Sequence, residues 1–277
     1  MFKIPTDLVS IHWLQEHLNE SNLVILDATI TRVTDTEDYT TALKIENTRF
    51  LDIKNVFSDT ESAFPNTLLS PEKFSEAAKG LGIDNNSVIV VYDAIGIYSS
   101  ARVWWMFKAM GHQNIAVLDG GLPAWIRAGL FVEKLKLYTG EKGNFTATYN
   151  PDYFYKYKQI VEAINITEKR IIDARSSERF NGLVSEPREG LRSGHIPNSL
   201  NLPFKELQEN EKLKSKEELN ACFKPLANHQ EELIFSCGSG ITACILALAA
   251  TIAGYKNLAV YDGSWTEFGT LYKDLTV

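Results

Sequence analysis

Leu233 to Ala250 reads LIFSCGSGITACILALAA: a short apolar run, a Cys-Gly-Ser-Gly turn, then a long apolar stretch that Gly254 closes. The first part has the branched and aromatic content of a buried strand. The last part, through Ala253, is rich in helix formers and is shorter than the roughly 20 residues a bilayer crossing needs, so it reads as a core helix. Strand, tight loop and helix in this order are the unit from which parallel α/β sheets are built.

Working outward, the same order occurs twice. Leu23–Ala28 (LVILDA) matches Arg170–Ala174 (RIIDA), and Val88–Asp93 (VIVVYD) matches Leu233–Cys237 (LIFSC). Ala109–Gly121 (AMGHQNIAVLDGG) matches Ala253–Ser264 (AGYKNLAVYDGS). Aligned on Asp27/Asp173, Asp93/Cys237 and Asp119/Asp262, the offsets are 146, 144 and 143 residues, too regular for coincidence. The fold class expected is therefore α/β, two tandem doubly wound domains, each a mainly parallel sheet flanked by helices. The boundaries expected are residues 1–136, a linker at 137–157 with Gly, Asn, Thr, Pro and aromatic residues, and a second domain at 158–277. Ser70-Pro71 and Ser215 with Glu218 three residues on mark helix starts in the two halves.

Composition narrows the function. The 277 residues are 44% hydrophobic with a formal net charge of −7, which argues against a phosphate-backbone binder, since that affinity rests on clustered Lys and Arg. The N-terminus, MFKIPTDLVSIHWLQEHL, lacks the apolar run of a secretory leader, and no stretch reads as membrane-spanning. Three cysteines, Cys222, Cys237 and Cys244, form no CxxC pair, so neither a disulfide framework nor a zinc site is expected and a reducing cytoplasm fits best. The histidines show no metal-ligand spacing; His195, in the turn SGHIP, is expected to make a structural hydrogen bond.

Cys237 stands where ligands bind in such sheets, at the carboxyl end of a strand. Gly238 and Gly240 let the loop curl so that its N–H groups turn inward around the sulfur, and the following helix adds partial positive charge. A thiolate at neutral pH is the expectation, and the thiolate is the nucleophilic form. Cys244, inside the apolar helix, and Cys222, beside Phe223, read as small buried hydrophobes.

CGSGITA (Cys237–Ala243) resembles the active-site loop of 3-mercaptopyruvate sulfurtransferases, and the double repeat resembles the tandem rhodanese family over nearly the whole chain. IIDARSSERF (171–180), EPREGL (186–191), SGHIP (193–197), NLPF (201–204), ARVWW (101–105) and LDGGLPAW (118–125) extend the likeness. The resemblance implies a sulfurtransferase in which Cys237 carries sulfane sulfur as a persulfide. Gly238, Ser239, Gly240, Ile241 and Thr242 would cradle it, and Arg179 and Arg188 would clamp the carboxylate and keto oxygen of the donor.

Thiosulfate-preferring relatives resemble CRKGVT in this loop, with two cations, whereas Gly238 and Ser239 carry none here. That points to 3-mercaptopyruvate as donor, with thiosulfate:cyanide transfer or a sulfur carrier without turnover as alternatives. The resemblance further implies a thiol acceptor such as thioredoxin and no metal or organic cofactor. It implies a catalytic part for Ser239, which as a plain loop serine would only satisfy a backbone group, and for Asp52, which also reads as a strand-end or capping carboxylate. The family's histidine falls on Asn66, which cannot titrate near neutral pH. Either the relay is dispensable, another group serves, or the alignment slips there. In the first repeat Asp93 replaces the cysteine, so that loop is expected to be catalytically silent.

Overall fold

The computed structural model describes residues 2–31 and 43–273. They form two compact units. The first holds residues 1–60, 68–150 and 210–213, and the second holds 61–67, 151–209 and 214–277.

In the first unit, the strands are β1 (Leu8–Val9), β2 (Leu23–Asp27), β3 (Leu43–Ile45), β4 (Arg49–Phe50), β5 (Val88–Tyr92), β6 (Ile115–Leu118) and β7 (Val132–Lys134). Five of them make a sheet in the order β1-β6-β5-β2-β4 with parallel pairing at every step, and β3 and β7 form a separate antiparallel ribbon. The centre strand β5, Val-Ile-Val-Val-Tyr, is buried along its whole length, the pattern of a strand covered on both faces. The helices are α1 (Ile11–His17), α2 (Pro71–Gly80), α3 (Ser100–Ala109) and α4 (Gly121–Arg127). Ser70 caps α2 by accepting the Lys73 N–H, Pro71 opens the helix, and Gly82 takes the left-handed conformation just beyond its end.

The second unit begins with β8 (Phe154–Tyr155), α5 (Tyr157–Ala163), β9 (Lys169–Asp173), α6 (Ser177–Phe180) and β10 (Leu200–Asn201). The short strands β11 (Gln208–Glu209) and β12 (Lys212–Leu213) follow. Then come α7 (Lys216–Phe223), β13 (Glu232–Ser236), α8 (Ala243–Ala253), β14 (Leu258–Tyr261) and α9 (Ser264–Leu271). Its sheet runs β10-β9-β13-β14-β8, again parallel throughout. Set against β4-β2-β5-β6-β1 of the first unit, this is the same order, so the sequence repeat is a structural repeat. Ser215 and Glu218 form a reciprocal capping box on α7. Apart from its C-terminal turn α8 is buried, as its uniformly apolar sequence requires, and Gly254 ends it in the left-handed region.

The stretch at 137–157 contributes to both units. Phe145 is buried against Phe74, Phe107 and His112 of the first unit, while Phe154 and Tyr155 pair with Val260 and Tyr261 as the edge strand of the second sheet.

The loop between β5 and α3 explains how the first repeat manages without a cysteine. The Asp93 carboxylate is fully buried and folds into its own loop. One oxygen accepts the N–H groups of Tyr98, Ser99 and Ser100 at 2.8, 3.0 and 2.9 Å and the Ser100 hydroxyl at 2.7 Å. The other accepts the Ile95 N–H at 3.0 Å. An anion sits at the mouth of this loop, supplied by the chain itself.

Candidate active site

Cys237 follows directly on β13 and is 2% exposed. Its loop, residues 237–242, leads into the N-terminus of α8. The loop is held from behind by Ser264 at the start of α9: Ser264 Oγ accepts the N–H groups of Cys237 and Gly240, each at 3.1 Å, and lies 2.9 Å from the Tyr261 carbonyl and 3.9 Å from Cys237 Sγ. Two loop N–H groups are thus taken by a hydroxyl instead of facing the sulfur, which alters the cradle expected from the sequence. Among the described residues the N–H groups of Gly238, Ser239, Ile241 and Thr242 meet no protein acceptor, so four of the five expected cradle residues keep a donor to offer. The loop is pinned further by the Trp265 N–H to the Cys237 carbonyl and by the N–H and hydroxyl of Thr266 to the Gly238 carbonyl at 3.0 and 2.6 Å.

Both predicted arginines reach this loop. A methyl group built on Gly238 would stand 3.2 Å from Arg179 Nη2 and 3.9 Å from Arg188 Nη1, so both guanidinium groups stand close to the residue next to the cysteine. Arg179 comes from α6 and is held by Glu186, with Nη2 at 2.5 Å from Oε2. Glu186 in turn accepts from Arg175 Nη1 at 2.8 Å, and Arg175 makes a fork to Asp173 at the end of β9. Arg175, Asp173 and Glu186 have side chains at most 1% exposed, against 26% for Arg179, so a buried ion network aims a partly exposed cation. Arg188 donates to Thr266 Oγ1 at 3.3 Å and to Ser239 Oγ at 3.2 Å.

Ser239 is 8% exposed and also meets Asn66, whose Nδ2 lies 2.9 Å from Ser239 Oγ and 3.1 Å from its carbonyl. The segment holding Asn66 belongs to the second unit. The residue at the family's histidine position therefore does sit on the loop serine. Asp52 belongs to the first unit, and its carboxylate closes its own turn by accepting the N–H groups of Lys54 and Asn55 and the Asn55 amide. His195 bonds through Nδ1 to the Phe180 carbonyl at 2.8 Å and stacks on the Phe180 ring. Cys244 lies behind the loop with Sγ 3.3 Å from the Gly240 carbonyl. Cys222, Cys237 and Cys244 are not joined in disulfides.

Sequence reasoning missed Ser264, Thr266 and the Arg175 network. For Ser264 a signal was present in the repeat: its counterpart is Gly121, and both adopt left-handed backbone, φ 50° and 51°. A Cβ on Gly121 would collide with the carbonyl oxygens of Gly96 and Asp93, so that position demands glycine. A serine accepted into the same strained conformation in the second repeat marks a side chain with a task.

A model of the rhodanese-like domain matches residues 10–128 and again 154–270. The chain belongs to the rhodanese family. Among relatives of this rhodanese, 3-mercaptopyruvate sulfurtransferase of Escherichia coli is 37% identical over 95% of each chain. The mitochondrial thiosulfate/3-mercaptopyruvate sulfurtransferase 1 of Arabidopsis thaliana is 36% identical over 95% of this chain and 76% of the relative. The crystal structure of the 3-mercaptopyruvate enzyme SseA from Escherichia coli superposes with a TM-score of 0.85 at 34% identity, covering 94% of this rhodanese and 99% of that chain. Among the described residues no helix is long and apolar enough to cross a membrane, and no cluster of three or more His, Cys, Asp or Glu is placed to hold a metal ion.

Proposed function

We propose that this rhodanese is a sulfurtransferase that takes sulfane sulfur from 3-mercaptopyruvate onto Cys237 and passes it to a thiol, releasing pyruvate. The observation that carries the reading is the closeness of both Arg179 and Arg188 to Gly238, the residue next to the buried Cys237. Two planar donor groups there suit a carboxylate with an adjacent keto oxygen, and the cation-free loop suits a thiol better than the dianion thiosulfate.

The Cys237 thiolate attacks the substrate sulfur. A sulfur–sulfur bond forms, the carbon–sulfur bond breaks, and the electron pair leaves as the pyruvate enolate, which takes a proton from solvent. The transferred sulfur keeps its proton during the attack and then gives it up to solvent, and the N–H groups of Gly238, Ser239, Ile241 and Thr242 stabilise the resulting persulfide anion. A second thiol then collects the sulfur in a ping-pong cycle; a dithiol protein such as thioredoxin is the acceptor we assign, and cysteines kept out of disulfides fit a cytoplasmic setting. We take residues 158–277 as the catalytic repeat, joined by 137–157 to the repeat at 1–136, whose own loop is filled by Asp93 and carries no sulfur; the segment 61–67 and strand β8 belong to the compact unit of the catalytic repeat. Asp52 keeps the role of a turn cap. A phosphatase of related fold would need an arginine six residues after the cysteine, where Ala243 stands.

Steady-state pyruvate release from 3-mercaptopyruvate with a dithiol acceptor tests this, with Cys237→Ser, Arg179→Ala and thiosulfate as rival donor beside the wild type. Turnover abolished by the first variant and weakened in KM by the second is expected. Activity surviving Cys237→Ser removes the mechanism, and a preference for thiosulfate removes the donor.

A further inference from the structure

We propose that Asn66 is a positioning residue which, with Arg188, makes the Ser239 hydroxyl a hydrogen-bond donor to the substrate and denies it the role of a base. The inference rests on the sulfurtransferase reading above and assigns a part within that site.

The argument is one of valence. A serine hydroxyl has two lone pairs and one hydrogen. Asn66 Nδ2 stands 3.1 Å from the Ser239 carbonyl, a group that can only accept, so the atom facing it is the amide nitrogen and the orientation of the amide follows. Its second hydrogen points at Ser239 Oγ, 2.9 Å away. Arg188 Nη2, also a donor only, reaches the same Oγ at 3.2 Å. Both lone pairs are thereby filled by groups that cannot accept. Among the described residues no acceptor takes the remaining hydrogen, and Ser239 lies one residue from the glycine that both arginines approach.

A hydroxyl held in this way cannot receive the proton of the substrate thiol, and the amide behind it does not titrate. It can donate to the keto oxygen of the substrate, where negative charge develops as the carbon–sulfur bond breaks. The thiol proton then needs no base at this position: it stays on the transferred sulfur while the sulfur–sulfur bond forms, and the enolate carbon is protonated by solvent. The backbone of Asn66 fits the assignment. Its φ of 61° is a conformation asparagine tolerates better than most residues and glycine better still.

The test uses the full chain with Asn66→Asp, Asn66→Gly, Ser239→Ala and the double variants. Aspartate at 66 offers acceptors and draws the hydroxyl hydrogen back, so kcat is expected to fall about tenfold or more while KM changes less than about threefold, close to the effect of Ser239→Ala. Each double variant should be no slower than Ser239→Ala alone, because both changes remove one donor. Glycine at 66 keeps the left-handed backbone and serves if the aspartate variant does not fold. The pH profile supplies a second readout: Ser239→Ala should lower kcat by the same factor at every pH.

Wild-type kcat in both Asn66 variants, multiplicative losses in the doubles, or an ionisation that vanishes from the profile with Ser239→Ala would each overturn the assignment. A mass increase of about 32 Da on wild-type Cys237 after the donor is added separates the two levels. Its absence sinks the sulfurtransferase reading; its presence with unaffected Asn66 variants sinks only the role of Asn66.

Discussion

Ser264 holds Cys237 from behind, with Oγ accepting the cysteine N–H at 3.1 Å and lying 3.9 Å from its sulfur, while the same oxygen accepts the Gly240 N–H. Ser264→Ala leaves both buried N–H groups without their acceptor, at a cost of about 1–3 kcal/mol for each. We expect a melting temperature several degrees lower and pyruvate release reduced about tenfold or more, the loop having lost its shape. Ser264→Gly relieves the left-handed backbone but removes the same hydroxyl, so it should recover part of the stability and none of the rate. Calorimetry and steady-state rates on the pair decide this; equal rates in the glycine variant and wild type would show the hydroxyl to be dispensable.

Glu186 joins the two ends of a cation relay, accepting from buried Arg175 and from Arg179. Glu186→Gln removes a charge that Arg175 needs in a dry setting, and breaking a buried pair from one side costs about 3–5 kcal/mol. Arg179 is a quarter exposed, and its removal should leave stability within about 1 kcal/mol while raising KM for the keto acid at least about tenfold. Urea denaturation beside kinetics on the two variants should therefore separate a structural from a binding effect. A Glu186→Gln protein as stable as wild type would contradict the network.

Asp93 fills its own loop with an anion that several N–H groups and a hydroxyl converge on. Asp93→Ala leaves those donors buried and unmet, and a loss of about 3 kcal/mol or more is expected. Since the Asp93 loop takes no part in the proposed chemistry, the folded fraction should still form the Cys237 persulfide at the wild-type rate. Chemical denaturation and rapid-quench persulfide formation measure the two quantities.

His112 is buried among Phe107 and Phe145 in the first unit, and burial holds its imidazole below the ordinary value of 6.5. The folded chain then refuses a proton that the unfolded chain accepts. Stability from this group is complete above the unfolded pKa of about 6.5 and is lost as pH falls from there towards the lower folded value. Urea midpoints between pH 7.5 and 5 should decline less steeply for His112→Gln than for wild type; identical slopes would show that His112 carries no part of the acid sensitivity.

The sequence determined the fold class and its duplication. Two apolar runs ending in Asp27 and Asp173, two centre strands leading to Asp93 and Cys237, and a spacing that holds across both halves admit only a duplicated parallel sheet. Period and length alone settle what a buried strand and a core helix are. It also singled out Cys237 as the candidate nucleophile, because a cysteine between strand and helix with glycine on either side of Ser239 has few other uses. The arginines came from resemblance, and both guanidinium groups stand close to Gly238.

Only the tertiary structure decided which groups act on them. Ser264 and Thr266 lie far along the chain from the loop they hold, and Asn66 lies farther still from Ser239. Glu186, placed in a motif by resemblance, could be seen as a link between Arg175 and Arg179 only when both side chains were in place. Hydrogen bonds and ion pairs depend on distance and angle between side chains, and no periodicity in the sequence encodes those. The sequence could say that Asn66 does not titrate; that its amide fills a lone pair of Ser239 is a fact of position.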